Sequence, residues 1–111
     1  MNKKEFEQFL DTGWHSDATL YLNGRIYWCE GLINSKNGMF EFSVESWDVE
    51  IIDDFFFKSI TTKDGKPKNY KVVYECIVDD PDIAKKQFLE AKIFDGKSFW
   101  EAEHELKWLE E

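Results

Sequence analysis

The sequence predicts an α+β fold: a mainly antiparallel sheet of five or six strands, with one short N-terminal helix and two C-terminal helices. Three observations lead to this prediction. Acidic and large apolar side chains alternate across residues 41–54, as they do on a half-buried strand. Asn23-Gly24 is the dipeptide that best accepts a tight hairpin turn. Helix-capping residues stand near positions 80 and 98.

The first elements are a helix and a hairpin. Residues 2–11 predict a short helix, because their apolar side chains share one side and Gly13 follows to end it. Strands are predicted at about residues 17–23 and 25–33, separated only by the tight turn. This helix is expected to lie across the sheet.

A third strand is predicted from residue 39, after a second turn at Asn37-Gly38. Its apolar positions change from even to odd numbers partway along. Such a change of phase predicts a bulge or a tight bend near Glu45-Ser46.

Residues 55–61 and 70–78 predict another hairpin, with residues 63–69 as its exposed turn. The segment 70–78 is apolar at both odd and even positions. This pattern favours an interior strand that is covered on both faces.

Two helices are predicted in the C-terminal part. Asp80 is an N-cap acceptor before a proline at the first helical position, which predicts a helix over residues 81–92. Ser98 and Glu101 form a capping box, which predicts a last helix over residues 98–109.

The bulk composition predicts a single domain over residues 1–111. The formal net charge of −9 and the isoelectric point near 4.7 argue against direct binding to nucleic acid. Residues 58–71 are the exception, since five lysines and one aspartate give them a local charge of +4. No apolar run is long enough to span a bilayer, and the first residues do not resemble a signal peptide, so a cytoplasmic location without membrane contact is predicted.

The candidate binding surfaces are the acidic strand and a stripe on the last predicted helix. Trp100, His104 and Trp108 follow an i, i+4, i+8 spacing, so they would form one line on that helix. The predicted partner-binding residues are Glu41, Glu45, Asp48, Glu50, Asp53, Asp54, Trp100, His104 and Trp108.

These surfaces predict a non-enzymatic acidic interaction protein, such as an inhibitor or immunity-type factor for a basic protein partner. Two other readings of the acidic strand and the stripe stay open. The acidic strand face also fits an ordinary solvated sheet surface, and the tryptophan stripe fits either the core or a homodimer contact.

The alternative function is a small hydrolase-like enzyme, with His104 or His15 as the base in a cleft between the sheet and the C-terminal helices. Neither Cys29 nor Cys76 stands at a metal-ligand spacing, and no glycine motif for phosphate is present. No metal, cofactor or catalytic residue is therefore predicted, although the chance pairs Cys29 with His15 and Cys76 with His104 stay open.

The segment Lys-Ile-Phe-Asp-Gly-Lys-Ser-Phe-Trp-Glu, residues 92–101, resembles the C-terminal ends of small uncharacterised acidic proteins of Gram-positive bacteria and their mobile elements. The resemblance covers less than a fifth of the chain. It implies no activity and assigns no site residue.

Overall fold

The computed structural model describes residue 8, residues 16–53 and residues 56–109. Of the described residues, 49 % lie in strands and 16 % lie in helices, so the fold is mainly antiparallel sheet. The strand order is β4-β3-β2-β1-β6, and β5 also pairs with β3. The elements are β1 (Ser16–Leu22), β2 (Arg25–Ile33), β3 (Phe40–Ile51), β4 (Phe57–Ser59), β5 (Lys71–Val78), α1 (Pro81–Glu90), α2 (Phe99–Ala102) and β6 (Lys107–Leu109).

The first hairpin is present as predicted. Asn23 and Gly24 take φ angles of 48° and 85°, the left-handed conformation that a tight hairpin turn requires. Asp17 lies opposite Glu30 across this hairpin. The next pairing, β2 with β3, runs without interruption along the whole length of β2.

The strands β4 and β5 both pair with β3, one after the other along the same side. Val49 lies opposite Ser59 in β4, and residues 40–46 lie opposite β5. The predicted hairpin between residues 55–61 and 70–78 was therefore wrong. The two segments continue one line of pairing, because β3 is long enough to accept both.

Between β4 and β5 the chain leaves the sheet as an exposed loop, residues 60–70, here called the lysine loop. Backbone hydrogen bonds to Asp48 hold the two ends of this loop against β3. The Ile60 amide donates to the Asp48 carbonyl at 3.0 Å, and the Asp48 amide donates to the Lys68 carbonyl at 3.0 Å. The Lys68 amide also donates to the Ile60 carbonyl at 2.7 Å.

The sheet has a buried face, here called the helix face, which carries the main core. Alternate strand side chains, including those of Leu20, Cys29 and Val44, pack there against the helices. Phe88 of α1 and Phe99 of α2 are both 0 % exposed in this layer. Burial of this many large apolar groups is the main stabilising term of such a fold.

A smaller cluster lies on the opposite face, where Ile26, Val49 and Leu109 pack with Trp47. This cluster explains the change of apolar phase within β3. The strand stays in register with β2 and has no bulge against it, so the change of phase does not come from a bulge or bend between these two strands. Its first half instead buries side chains on the helix face, and its second half buries them on the opposite face.

A register shift does occur near the predicted position, but between β3 and β5. Val44 lies opposite Tyr74 and Glu45 lies opposite Val72, so Val73 is the extra residue. The bulge therefore belongs to β5 and not to β3.

The predicted fold class was wrong in its helices. The helix predicted over residues 81–92 is present as α1, and the Asp80 carboxylate accepts from the Asp82 amide at 2.8 Å. The N-terminal helix predicted over residues 2–11 lies outside the described residues, apart from Gln8, which is helical and exposed. No described helix is long and apolar enough to cross a membrane.

The last predicted helix, residues 98–109, is only one turn long. Its capping box forms, since the Glu101 amide donates to the Ser98 hydroxyl at 3.3 Å and the Ser98 amide donates to the Glu101 carboxylate at 3.1 Å. The helix nevertheless ends at Ala102, and residues 107–109 become strand β6 on the outer side of β1. Pairing with β6 satisfies backbone hydrogen-bonding groups of β1, and Leu109 is buried in the second cluster. These two gains outweigh the preference for a helix that the apolar spacing of residues 98–109 indicates.

Candidate functional site

A row of side chains crosses four strands on the face opposite the helices. Asp17 lies opposite Glu30, Glu30 lies opposite Ser43, and Ser43 lies opposite Glu75. Directly paired residues point to the same face of a sheet. The row therefore places three carboxylates and one short hydroxyl side by side.

Two further rows run beside the first. Leu32, Glu41 and Ile77 form one of them, and Trp28 is followed by Glu45 in the other. The surface is here called the acidic face. Its carboxylates belong to Asp17, Glu30, Glu41, Glu45 and Glu75, and the strand residues placed between them include no lysine or arginine.

The acidic face contains a depression of about 230 Å³. Ser43 is short, and its neighbours Glu30 and Glu75 each stand one strand away, about 4.8 Å to either side. The short side chain between two long ones produces the hollow. The depression is lined by Glu30, Leu32, Glu41, Phe42, Ser43, Glu75, Cys76 and Ile77.

Neutral polar side chains lie beside three carboxylates of the acidic face and donate hydrogen bonds to two of them. The Trp28 indole donates to Asp17 at 3.1 Å, and the Asn34 amide donates to Glu41 at 3.2 Å. The Glu45 carboxylate lies near the Tyr70 hydroxyl and raises the pKa of Tyr70. These bonds hold the carboxylates in place without neutralising them.

No described residue forms an ion pair with the three carboxylates of the depression, those of Glu30, Glu41 and Glu75. A surface that carries several carboxylates and no cation attracts positively charged groups. The depression is therefore suited to a positively charged group.

The predicted acidic residues do not share one surface. Glu41 and Glu45 lie on the acidic face, whereas Asp48 and Glu50 alternate onto the other side of β3. Glu50 is exposed and stands opposite Lys58. The prediction of a single acidic strand surface was wrong, because alternation divides its charges between two faces.

Of the remaining two predicted acids, the structure describes one. Asp53 lies in the turn after β3, where its carboxylate accepts from the Phe56 amide at 3.1 Å. Asp54 lies outside the described residues.

Asp48 has a structural role instead. Its carboxylate contacts the Arg25 guanidinium at 3.0 Å and accepts from the Asn69 side chain at 2.7 Å. Each of the two partners contacts one oxygen of the carboxylate, so Asp48 is poorly placed to bind another molecule.

The stripe of Trp100, His104 and Trp108 does not exist as a continuous line. Trp100 lies on α2 and is 38 % exposed, and its ring centroid lies 5.2 Å from that of Phe99. His104 is exposed in the turn that follows. Trp108 lies in β6, opposite Leu20, and packs against the main core. The three side chains were assigned to one helix face only because the helix was predicted to continue.

Asp17, Glu30 and Glu75 were not among the binding residues predicted from the sequence. The first two had a usable signal, since a two-residue turn at Asn23-Gly24 fixes the register that places Asp17 opposite Glu30. Glu75 had no such signal, because its position depends on the pairing and the bulge between β3 and β5.

The groups required by the enzymatic alternative are not brought together in the described residues. Cys29 is fully buried, and burial raises the pKa of its thiol, which disfavours the reactive thiolate. The space between sheet and helices is occupied by Phe88, Phe94 and Phe99, all 0 % exposed. His15 lies outside the described residues, and within them no three His, Cys, Asp or Glu side chains could hold a metal ion.

Comparison with protein-family models, with curated proteins and with solved structures gave no match. The resemblance of residues 92–101 to small proteins of Gram-positive bacteria stays a prediction.

Proposed function

We propose that this chain is a binding protein whose acidic face recognises a basic segment of a partner protein. A lysine or arginine side chain of the partner would occupy the depression above Ser43. The observation that carries the proposal is the placement of three carboxylates, from Glu30, Glu41 and Glu75, on three strands around that one hollow.

Electrostatics favour a cation at this position. A charge above Ser43 would stand within about 5 Å of the Glu30 and Glu75 strand positions, close enough for a charge-assisted hydrogen bond from a flexible ammonium or guanidinium group. The formal net charge of −9 would also speed the approach of a basic partner.

Apolar side chains on this surface would also contribute to the affinity for the partner. Leu32 and Ile77 form part of the depression wall, and Ile77 is 60 % exposed. Apolar groups beside oriented charges are typical of protein interfaces, where burial supplies affinity and charge supplies specificity. A bare cation would use only the charges, so a protein segment fits the surface better.

An inhibitor or immunity-type factor would act in this way, by covering a basic surface of its partner. The proposal places this activity in the cytoplasm. Free thiols at Cys29 and Cys76 are compatible with a reducing compartment.

The test is a titration with a hexalysine peptide, followed by amide chemical shifts. The largest shifts are expected in β2, β3 and β5 around Ser43, and the affinity is expected to fall as salt rises from about 0.05 M to about 0.5 M. A triple variant that neutralises the depression is expected to bind at least about tenfold more weakly, a loss of about 1.4 kcal/mol. Its substitutions are Glu30→Gln, Glu41→Gln and Glu75→Gln.

A matched control is needed because any strongly acidic protein attracts hexalysine. Three acidic residues away from the depression provide it, since their neutralisation changes the net charge by the same amount. The control substitutions are Glu90→Gln, Asp95→Asn and Glu103→Gln. The control is expected to change the affinity less than about twofold, whereas equal losses in both triple variants would refute a specific site.

A further inference from the structure

The outer edge of β5 is open in the described part of the chain. This strand pairs with β3 on its inner side, and no described strand pairs with its outer side. In an antiparallel ladder, alternate residues direct their backbone N–H and C=O groups to each side. About half of the β5 backbone groups therefore point away from β3.

The open edge has a regular part and an irregular part. The bulge at Val73 disturbs the beginning of β5, whereas Tyr74–Val78 pair in register with Val44–Phe40. A bulge discourages pairing with another strand. The regular stretch of five residues contains none of the lysines or prolines that commonly protect an edge.

The side chains of this stretch continue the rows of the acidic face. Glu75 ends the row that contains Ser43 and Glu30, and Ile77 ends the row that contains Glu41. A strand added beside β5 would extend both rows by one position. A basic residue would then stand opposite Glu75, and an apolar residue two positions away would stand opposite Ile77.

This complementarity defines the partner more closely than charge alone. We infer that the partner's basic segment binds as an extended strand, adding to the outer edge of β5 at Tyr74–Val78. Backbone hydrogen bonds to β5 supply part of the affinity. A basic side chain directed over Glu75 toward the depression, and an apolar one against Ile77, supply the specificity. The inference rests on the proposed function, because it uses the same depression.

The experiment uses a heptapeptide with the sequence Thr-Leu-Thr-Lys-Thr-Leu-Thr and the full chain. A central lysine flanked by leucine at every second position suits the edge in either strand direction. Two isomers carry N-methyl groups on alternate residues, one along each edge of the peptide. N-methylation removes hydrogen-bond donors from one edge and leaves the charge unchanged. A peptide with glutamate in place of lysine tests the charge.

Strand addition predicts that one N-methyl isomer binds at least about tenfold more weakly than the other, through the loss of two or more backbone hydrogen bonds. It also predicts that alternate amides of residues 74–78 exchange with solvent more slowly in the complex. The glutamate peptide is expected to bind at least about tenfold more weakly than the lysine peptide.

Equal binding of the two isomers, with no slower exchange in β5, would overturn strand addition. If hexalysine still shifts the amides around Ser43 in that case, the proposed function stands without the inference. Edge binding that is indifferent to lysine or glutamate would also overturn the inference, because the specificity assigned to Glu75 would be absent. Failure of the heptapeptide alone, with hexalysine bound at the depression, would do the same.

Discussion

Arg25 and Asp48 face each other across β2 and β3, and together they hold the lysine loop to the sheet. The guanidinium contacts the Asp48 carboxylate at 3.0 Å, donates to the Ser46 hydroxyl at 3.0 Å and donates to the Asn69 carbonyl at 2.8 Å. Asp48 in turn accepts from the Asn69 side chain. Asp48, which the sequence suggested for partner binding, therefore has a structural role. The contacts among Arg25, Asp48 and Asn69 are here called the joint.

The first prediction concerns this joint. Asp48→Ala is expected to lower the free energy of unfolding by about 2 kcal/mol, because the Arg25 side chain, 21 % exposed, would lose its charged partner. Urea unfolding measures the change. Glu50→Ala, an exposed acid on the same face of β3, is the control and is expected to cost less than about 0.5 kcal/mol.

A second readout distinguishes the joint from general destabilisation. Trypsin cleavage after lysines of residues 60–70 is expected to accelerate in Asp48→Ala under conditions where the rest of the chain stays folded. If cleavage there is unchanged, Asp48 does not hold the loop and the joint has been misread.

The second prediction compares two tryptophans. Trp108→Ala is expected to cost about 3 kcal/mol, because Trp108 packs against the main core opposite the fully buried Leu20. Trp100→Ala, at a side chain 38 % exposed, is expected to cost less than about 1 kcal/mol. Thermal melts and light scattering check both. A Trp108→Ala protein of unchanged stability but altered oligomeric state would instead support a dimer contact.

The parts of the fold that the sequence predicts are local. The turn at Asn23-Gly24, the N-cap of α1 and the capping box at Ser98 each depend on residues a few positions apart. Strand β6 was missed because its three residues gain their stability from pairing with distant β1. Likewise, the apolar pattern of β5 indicates which side chains are suited to burial. It does not indicate whether the strand lies inside the sheet or at its edge.

The candidate site was predictable only in part, for the same reason. Glu41 and Glu45 were assigned to binding, and Glu30 follows from the hairpin register. Glu75 joins them only through pairing with β3. Asp48 shows the converse error, since alternation removes it from the acidic face and Arg25 then binds it.

The third prediction is a pH dependence at Glu101. The Lys92 ammonium and the Ser98 amide lower the pKa of this carboxyl to about 2. In the unfolded chain a glutamate binds its proton near pH 4.3. The stabilisation is therefore complete above about pH 4.3 and is lost as the pH falls toward 2.

An NMR titration of the Glu101 carboxyl is expected to show this low midpoint. Glu101→Gln keeps a capping acceptor but loses the ionic contact, so its melting temperature is expected to lie below that of the parent at pH 7 and to approach it near pH 2. A titration midpoint near 4.3 would show that the contacts with Lys92 and Ser98 do not persist in solution.

The fourth prediction concerns Tyr74, whose hydroxyl is buried and has no hydrogen-bond partner among the described residues. Burial, and after it the nearby Cys76 thiol, which lies outside hydrogen-bond geometry, raise the pKa of this group. Tyr74→Phe removes an unsatisfied polar atom and keeps the ring contacts with Phe42 and Phe88, so the free energy of unfolding is expected to stay equal or to rise by up to about 1 kcal/mol. A loss of more than about 1 kcal/mol would show that the hydroxyl has a partner.

The last prediction concerns nucleic acid and the lysine loop. Lys63, Lys66 and Lys68 are exposed and could contact phosphates, but the whole chain carries a net charge of −9, which repels a polyanion. Binding of a labelled DNA duplex at about 150 mM salt is therefore expected to be weaker than about 100 μM by fluorescence anisotropy, beyond the usual range of non-specific binders. A micromolar dissociation constant would contradict this expectation. If Lys63→Ala, Lys66→Ala and Lys68→Ala then abolished that binding, the lysine loop and not the acidic face would be the functional surface.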